Sequence, residues 1–369
     1  MDTTLRHFFY LLRAGLWEQD PGIPAEEPID FEALSKVAEE QSVVGVVAAG
    51  IEHLKGREMR ASELRDFLDT VIYLDKRNVS MDAFVGELFQ RLEGAGIRAL
   101  LVKGQGVAQC YERPLLRMSG DIDLLLDADN YLKAKAFLCP HADEVSEEQV
   151  DRMHQGMHIG PWKLELHGTM RTSLPAHVNT IIDRVQKDCV EGNVRIWRNG
   201  NVDIPLPEPV DDAVLIFTHF LNHFYIGGLG VRQVCDWCRL LWTYRESLDL
   251  YRLEKLVRQA GLLSEWKAFG AYAVDYLGMP AEAMPMYDAS LQWKRKARRI
   301  STFLLEKGNF GHNRDRSYYT KYPYLVYKAI SLWGHIYDSF KRFWIFPLDS
   351  LRVFWLILVG GAKAVAEGR

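Results

Sequence analysis

Residues 117–130 read RMSGDIDLLLDADN, with two acids one residue apart in the most apolar stretch of their neighbourhood. Asp121 and Asp123 flank Ile122, and Leu124, Leu125 and Leu126 follow. Side chains alternate along a strand, so residues i and i+2 share a face. Asp121 to Leu126 therefore reads as a buried strand with two carboxylates on one side of its leading end. Adjacent carboxylates drawn out of water repel each other and lose hydration, which is unfavourable unless something positive lies between them. A hard cation suits the place, since Mg²⁺ takes carboxylate oxygens and keeps phosphate oxygens and waters as its other ligands. Without a cation, removing either acid is expected to relieve repulsion and stabilise the fold.

The pattern around this strand alternates strand and helix. Upstream, IRALLVKG (97–104) is a buried strand, and QGVAQCYE (105–112) opens a helix directly after the glycine. A helix N-terminus offers free backbone N–H groups and a positive dipole end, which suits phosphate. Gly104 and Gly106 would let a phosphate approach the backbone closely. Downstream come a helix in NYLKAKAFL (130–138) and a strand in HIGPWKLELHG (158–168), where Leu164, Glu165, Leu166 and His167 alternate. AHVNTIIDRVQKDCV (176–190) is a helix, and VRIWRNGNVDIPLP (194–207) a hairpin whose Asn199-Gly200 suits a primed turn. Residues 96–206 form a compact α/β unit on this reading.

Helical patterns flank it. In residues 1–95, TTLRHFFYLLRAGLW (3–17) repeats apolar residues at helix spacing, two short helices follow in 28–54, and residues 61–96 form one long amphipathic helix stopped by Gly94 and Gly96. A C-terminal helical domain over 207–340 begins with prolines and acids, as a helix start should. Residues 341–369 form an apolar tail with Trp344, Phe354 and Trp355 among aliphatics and Lys341, Arg342, Arg352 and Lys363 nearby. That composition fits a helix lying on a membrane surface and one packed on the body, the packed helix being favoured.

Bulk composition narrows the function classes. The chain has 369 residues, 48% apolar and 25% charged, which is ordinary for a globular protein of two or three domains. A net charge of −4 argues against a general polyanion binder but permits a local basic groove. Five cysteines without a paired framework fit a reducing compartment. Cys235 and Cys238 in VCDWC lie in a helical pattern with no second pair to complete a zinc site, so they read as buried small residues. The start lacks the features of a secretory signal, and VFWLILVGGA (353–362) has half the length of a span, so a cytoplasmic protein is expected, with peripheral membrane contact as the tail's alternative. WKRKARRI (293–300) could attract RNA or phospholipid, but it lacks an aromatic platform and reads as a solvated helix face.

The chemistry-bearing parts occur in a suggestive order: a strand–glycine–helix turn at Lys103-Gly104, the D-x-D strand, and a third acid, Glu165, on a later strand. In this order LLVKGQGVAQCYERPLLRMSGDIDLLL (100–126), followed by KLELHG (163–168), resembles the nucleotidyltransferase fold of the polymerase-β superfamily. More narrowly it resembles a bacterial family of uncharacterised nucleotidyltransferases, through the KG turn, the R…GDIDLL run and the acid-x-His strand, Glu165 to His167. LIFTHFLNHFYIGGLGVRQVCDWCRLL (215–241) and GNFGHNRD (308–315) extend the likeness over most of residues 90–320. The resemblance implies an α+β fold, a small mixed-sheet nucleotidyltransferase core flanked by N- and C-terminal helical regions. It implies Mg²⁺, with Mn²⁺ as the alternative, on Asp121, Asp123 and Glu165, and two-metal transfer of a nucleoside monophosphate from an NTP to an acceptor hydroxyl. Lys103, Gly104, Gln105 and Arg117 are the nucleotide-binding candidates, Arg117 through its bidentate fork. Two departures stand: Gln105 replaces the usual Gly or Ser, and the interval from Gly104 to Asp121 is long.

Acceptor-pocket candidates are His167 and, in the segment after Pro207, His219, Arg232 and Asp236. His219 and His223 share a helix face but lack the glutamate of a zinc-protease helix. Arg232 and Asp236, four apart, also suit a simple helix ion pair. Two other classes compete. A D-x-D sugar-nucleotide glycosyltransferase requires neither the phosphate turn nor a third acid, and all three acids count against a catalytically inactive nucleotide-binding adaptor.

Overall fold

The computed structural model describes residues 2–60, 62–309 and 324–355. Four helices come first: α1 (Thr3–Trp17), α2 (Phe31–Glu40), α3 (Val44–Ile51) and the 30-residue α4 (Arg65–Gly94). The α/β region follows as β1 (Leu100–Val102), α5 (Gly104–Ala108), β2 (Ile122–Leu125), α6 (Ala128–Leu138), β3 (Glu144–Val145), β4 (His154–Ile159), β5 (Trp162–His167), α7 (Ala176–Glu191), β6 (Val194–Asn199) and β7 (Val202–Pro207). Then come α8 (Pro209–Ile226), α9 (Val231–Thr243), α10 (Leu250–Gln259), α11 (Leu263–Asp275), α12 (Leu291–Lys307) and α13 (Tyr324–Phe343), and residues 347–355 are again helical. The class is α+β, with helices at both ends.

The main sheet has the order β1-β2-β5-β4-β3, and β6 pairs with β7 separately. β2 runs parallel to β5, while the β1–β2, β4–β5 and β3–β4 pairs are antiparallel, so the sheet is mixed. Strand alternation sorts its two faces. Leu101, Ile122, Leu124, Leu164 and Leu166 join Val85, Leu88 and Phe89 of α4 and Tyr131 and Ala134 of α6 in one apolar core. On the other face Leu100, Val102 and Leu125 belong to a larger helical core, and beyond them the same face turns polar with Asp123, Glu165 and His167.

Two hairpins depend on glycine. Asn199 pairs with Val202, so the hairpin forms as expected but its two-residue loop is Gly200-Asn201, one position on from Asn199-Gly200, with Gly200 at the φ of 59° that a primed turn needs. Ile159 pairs with Trp162 around Gly160-Pro161, with Gly160 at φ 57°. The expected single strand over 158–168 is therefore corrected to the β4–β5 hairpin, because Gly160 takes the positive φ that folds the chain back.

The larger core joins helices from both ends of the chain. At its centre α8 buries Phe217, Phe220, Leu221 and Phe224, and the Trp237 and Trp266 rings meet 4.6 Å apart beside Phe217. α1 crosses α3 closely: a Cβ on Gly15 would lie 1.8 Å from the Val46 carbonyl oxygen. Arg13 Nε donates to the Tyr276 carbonyl at 2.8 Å, and Gln41 Nε2 to the Leu304 carbonyl at 3.2 Å. Cys235 and Cys238 are fully buried and all five cysteines are free.

After α13, Ile345, Phe346 and Val353 are buried against this core, whereas Trp344, Leu348, Leu351 and Trp355 are exposed. The tail beyond residue 355 and most of GNFGHNRD (310–315) lie outside the described residues. No helix among the described residues is long and apolar enough to cross a membrane.

Candidate active site

The acids come together through strand register. Asp123 of β2 stands opposite Glu165 of the parallel β5, and His154 of β4 stands opposite His167. On its other side Glu165 faces Gly156 of β4. Asp121 lies just before β2, and one carboxylate oxygen from each of Asp121, Asp123 and Glu165 lies within 4.8 Å of the other two. They open onto a cavity of about 450 Å³, lined on the sheet side also by Lys103, Gly104 and Lys163, and on the helical side by His219, Phe220, His223 and Arg232.

Cations hold the acids apart. Lys103 Nζ sits 2.8 Å from Asp123 Oδ1, and His167 Nε2 reaches the same oxygen at 2.8 Å. Lys163 pairs with Glu165 and lies 3.8 Å from Asp121 Oδ2. Burial pushes the Asp123 carboxyl up, but Lys103 and then His167 hold it well below the usual range. Asp121 is raised instead, first by the charge of Asp123 and then by burial. Burial also opposes the charge of Glu165, yet the hydrogen bond from His154 and the pairing with Lys163 bring it down to about 2. The set is anionic and rich in oxygen donors, and it fits a hard divalent ion.

The turn before α5 differs from a simple phosphate cradle. Lys103 takes φ 58° and ψ −143°, a conformation disfavoured for residues with a Cβ, and this places its side chain beside Asp123. Gly104, at φ 37°, lines the cavity. Gly106 does not: a Cβ there would meet Leu206 at 2.8 Å, so this glycine serves packing. Gln105 is buried, its amide nitrogen bonding Asp82 and its carbonyl oxygen accepting from Ser119 Oγ. Its side chain braces the turn and lies outside the cavity lining.

Arg117 lines the cavity but is occupied. Its Nε and Nη2 each lie 2.7 Å from an oxygen of Asp236, and Nη1 donates to Ser119 Oγ at 3.0 Å. Tyr111 adds a hydroxyl donor to Asp236 at 2.8 Å. Asp236 thus anchors α9 to the segment before β2, which corrects the expected Arg232–Asp236 helix pair. Arg232 turns one nitrogen to the Met118 carbonyl, while its buried Nε finds no hydrogen-bond partner among the described residues. Burial and then the charge of Arg117 lower its pKa.

Across the cavity the Nε2 atoms of His219 and His223 lie 3.1 Å apart. Burial, then Lys103, depresses both, His223 to about 4 and His219 well below its ordinary value, so both are neutral at pH 7. Sequence reasoning missed His154 and Lys163. Their signal was the alternation on either side of Gly160-Pro161, legible only once that dipeptide is taken as a turn.

The chain belongs to the family described as "uncharacterised nucleotidyltransferase", whose model matches residues 27–278. The match runs from before α2 to the end of α11, starting earlier and ending sooner than the likeness over 90–320. No curated protein and no solved structure matches the chain.

Proposed function

We propose that the chain moves a nucleoside monophosphate from an NTP to an acceptor hydroxyl and releases pyrophosphate. The convergence of Asp121, Asp123 and Glu165 in a cavity that also presents Lys103, Lys163 and Arg232 carries this reading. In the reaction the acceptor oxygen bonds to the α-phosphorus, the bond from that phosphorus to the bridging oxygen breaks, pyrophosphate leaves with that oxygen, and the hydroxyl's proton passes to water. Mg²⁺, or Mn²⁺, held by the three acids would neutralise the triphosphate and lower the pKa of the hydroxyl. Lys103 supplies positive charge for phosphate oxygens, and Arg232 adds positive charge at the cavity wall from α9. Gly104 offers a backbone free of Cβ bulk beside them. The acceptor enters from the α8–α9 side, where neutral His219 and His223 can hold a hydroxyl by hydrogen bonds, and His167 orients Asp123 from the sheet.

Residues 96–206 would be the catalytic core, with the helices after Pro207 walling the acceptor pocket. The partners are an NTP and the acceptor, and neither RNA nor a membrane surface is required. Free cysteines favour the reducing, NTP-rich cytoplasm. The test is incubation of the full chain and Mg²⁺ with each labelled NTP and, in parallel, with labelled sugar nucleotides. Pyrophosphate release supports the proposal. Release of a nucleoside diphosphate from a sugar nucleotide would make the protein a glycosyltransferase, and neither product would make it an adaptor.

A further inference from the structure

Two imidazoles stand among the acids, and Mg²⁺ coordination has little use for them. We infer that His154, His167 and Glu165 form a nitrogen-rich site for a divalent first-row transition ion, next to the oxygen-only pair of Asp121 and Asp123. The inference deepens the nucleotidyl-transfer reading and rests on it for its purpose, because Glu165 belongs to both donor sets.

Geometry supports it in three ways. The antiparallel register sets His154 opposite His167, and Glu165 shares their face as residue i−2 of His167. Both Nε2 atoms lie near one carboxylate oxygen: His154 Nε2 is 3.1 Å and His167 Nε2 3.7 Å from Glu165 Oε2, and His167 Nε2 also reaches Asp123 Oδ1 at 2.8 Å. The ring centroids are 4.8 Å apart at 44°, so the rings converge without stacking, and one donor atom from each of the three residues lies within 4.8 Å of the others. Lys163 bonds the other oxygen of Glu165, Oε1, which leaves Oε2 to the imidazoles.

Donor chemistry then selects the ion. Imidazole nitrogen suits zinc, iron, nickel and copper, whereas magnesium prefers carboxylate, carbonyl and water oxygens. Two histidines and one carboxylate also leave coordination positions open, as in catalytic rather than structural sites. A phosphate or acceptor oxygen could take such a position at the Glu165 end of the cavity, while Asp121 and Asp123 retain the hard ion. The competing role for the histidines is to hold the carboxylates by hydrogen bonds alone.

Co²⁺ is the probe, because its visible absorption reports nitrogen ligation without any turnover. Titrating the metal-free full chain with Co²⁺ should give a saturable one-to-one absorption band that a tenfold excess of Mg²⁺ does not remove. His154→Ala and His167→Ala should each weaken Co²⁺ at least as much as the roughly 10–100-fold loss typical of an outer-shell partner. His154→Gln guards against misfolding, since it keeps a hydrogen bond to Glu165 but lacks imidazole, and it should lose Co²⁺ equally. Asp121→Ala should keep the band. Absence of the band, its removal by equimolar Mg²⁺, or wild-type Co²⁺ affinity in His154→Gln overturns the site. Pyrophosphate release with Mg²⁺ alone is measured separately. A chain inactive with every NTP that still binds Co²⁺ through both histidines keeps this site and refutes the transfer reading. Turnover with histidine-independent Co²⁺ binding does the opposite.

Discussion

Arg117→Met and Asp236→Asn are predicted to cost stability before they cost anything else. Both side chains are almost wholly buried, Arg117 at 4% and Asp236 at 6% exposure, and two hydrogen bonds of 2.7 Å join them. Removing one partner of a buried, hydrogen-bonded ion pair costs about 3–5 kcal/mol, because the other charge is left uncompensated. The two variants should differ. Arg117→Met leaves Asp236 with the Tyr111 hydroxyl and the attraction of nearby Arg232, which sets the loss toward the lower end. Asp236→Asn leaves two guanidinium groups that already oppose each other, which sets it toward the upper end. The double variant Arg117→Met/Asp236→Asn should lose less than the sum, since neither charge is then stranded. Denaturant unfolding followed by circular dichroism, with the slope checked for constancy, measures all three. A loss below about 1 kcal/mol in Arg117→Met together with a fall in NTP affinity would refute this reasoning and return Arg117 to nucleotide binding.

Asp121→Ala and Asp123→Ala should both abolish pyrophosphate release, yet they should move metal-free stability in opposite directions in a thermal melt with chelator. Loss of Asp121 should relieve its repulsion with Asp123 and raise stability, whereas loss of Asp123 should strand Lys103 and lower it, which narrows the gain expected from removing either acid to Asp121. A shared direction of shift would contradict the charge arrangement described above. Glu265 is fully buried beside Tyr225, and burial, then the neighbouring Asp349, pushes its carboxyl up to about 8. A folded pKa above the unfolded one means the native state binds the extra proton, so this contribution falls as pH rises from the ordinary carboxylate value to about 8 and then levels. Glu265→Gln should flatten that fall, and denaturant midpoints at acidic, neutral and alkaline pH that track wild type would exclude it. Gly15→Ala should lower stability by about 1–3 kcal/mol or more, because the new methyl meets a backbone carbonyl that cannot rotate away; an unchanged melting temperature would show that α1 and α3 can part freely.

Local pattern made much of this molecule legible, and long-range pairing hid the rest. The D-x-D strand, the long α4 and the Asn199-Gly200 hairpin each follow from residues a few positions apart. Asp123 and Glu165 could be suspected of meeting because each interrupts an apolar strand with an acid. By contrast, Arg117 finds Asp236 across 119 residues, and no spacing rule points to it. The four-residue interval between Arg232 and Asp236 even suggested the wrong partner, since helix spacing brings two side chains near without deciding where each turns. Gln105 and Gly106 misled for a related reason. A turn next to a site contains residues that brace it as well as residues that face it, and only the packing of Leu206, Asp82 and Ser119 tells them apart.

The joining of the two chain ends in one core has a consequence for synthesis. Arg13 must wait for the carbonyl of Tyr276, 263 residues later. At a translation rate of about 5–20 residues per second, that partner emerges roughly 13–50 s after α1 does. Throughout that interval Phe9 lacks the Tyr276 ring that finally packs edge-on against it. The nascent chain therefore carries α1 and α3 paired but incompletely covered while residues 52–275 are being made, and their cover closes only once Tyr276 has emerged.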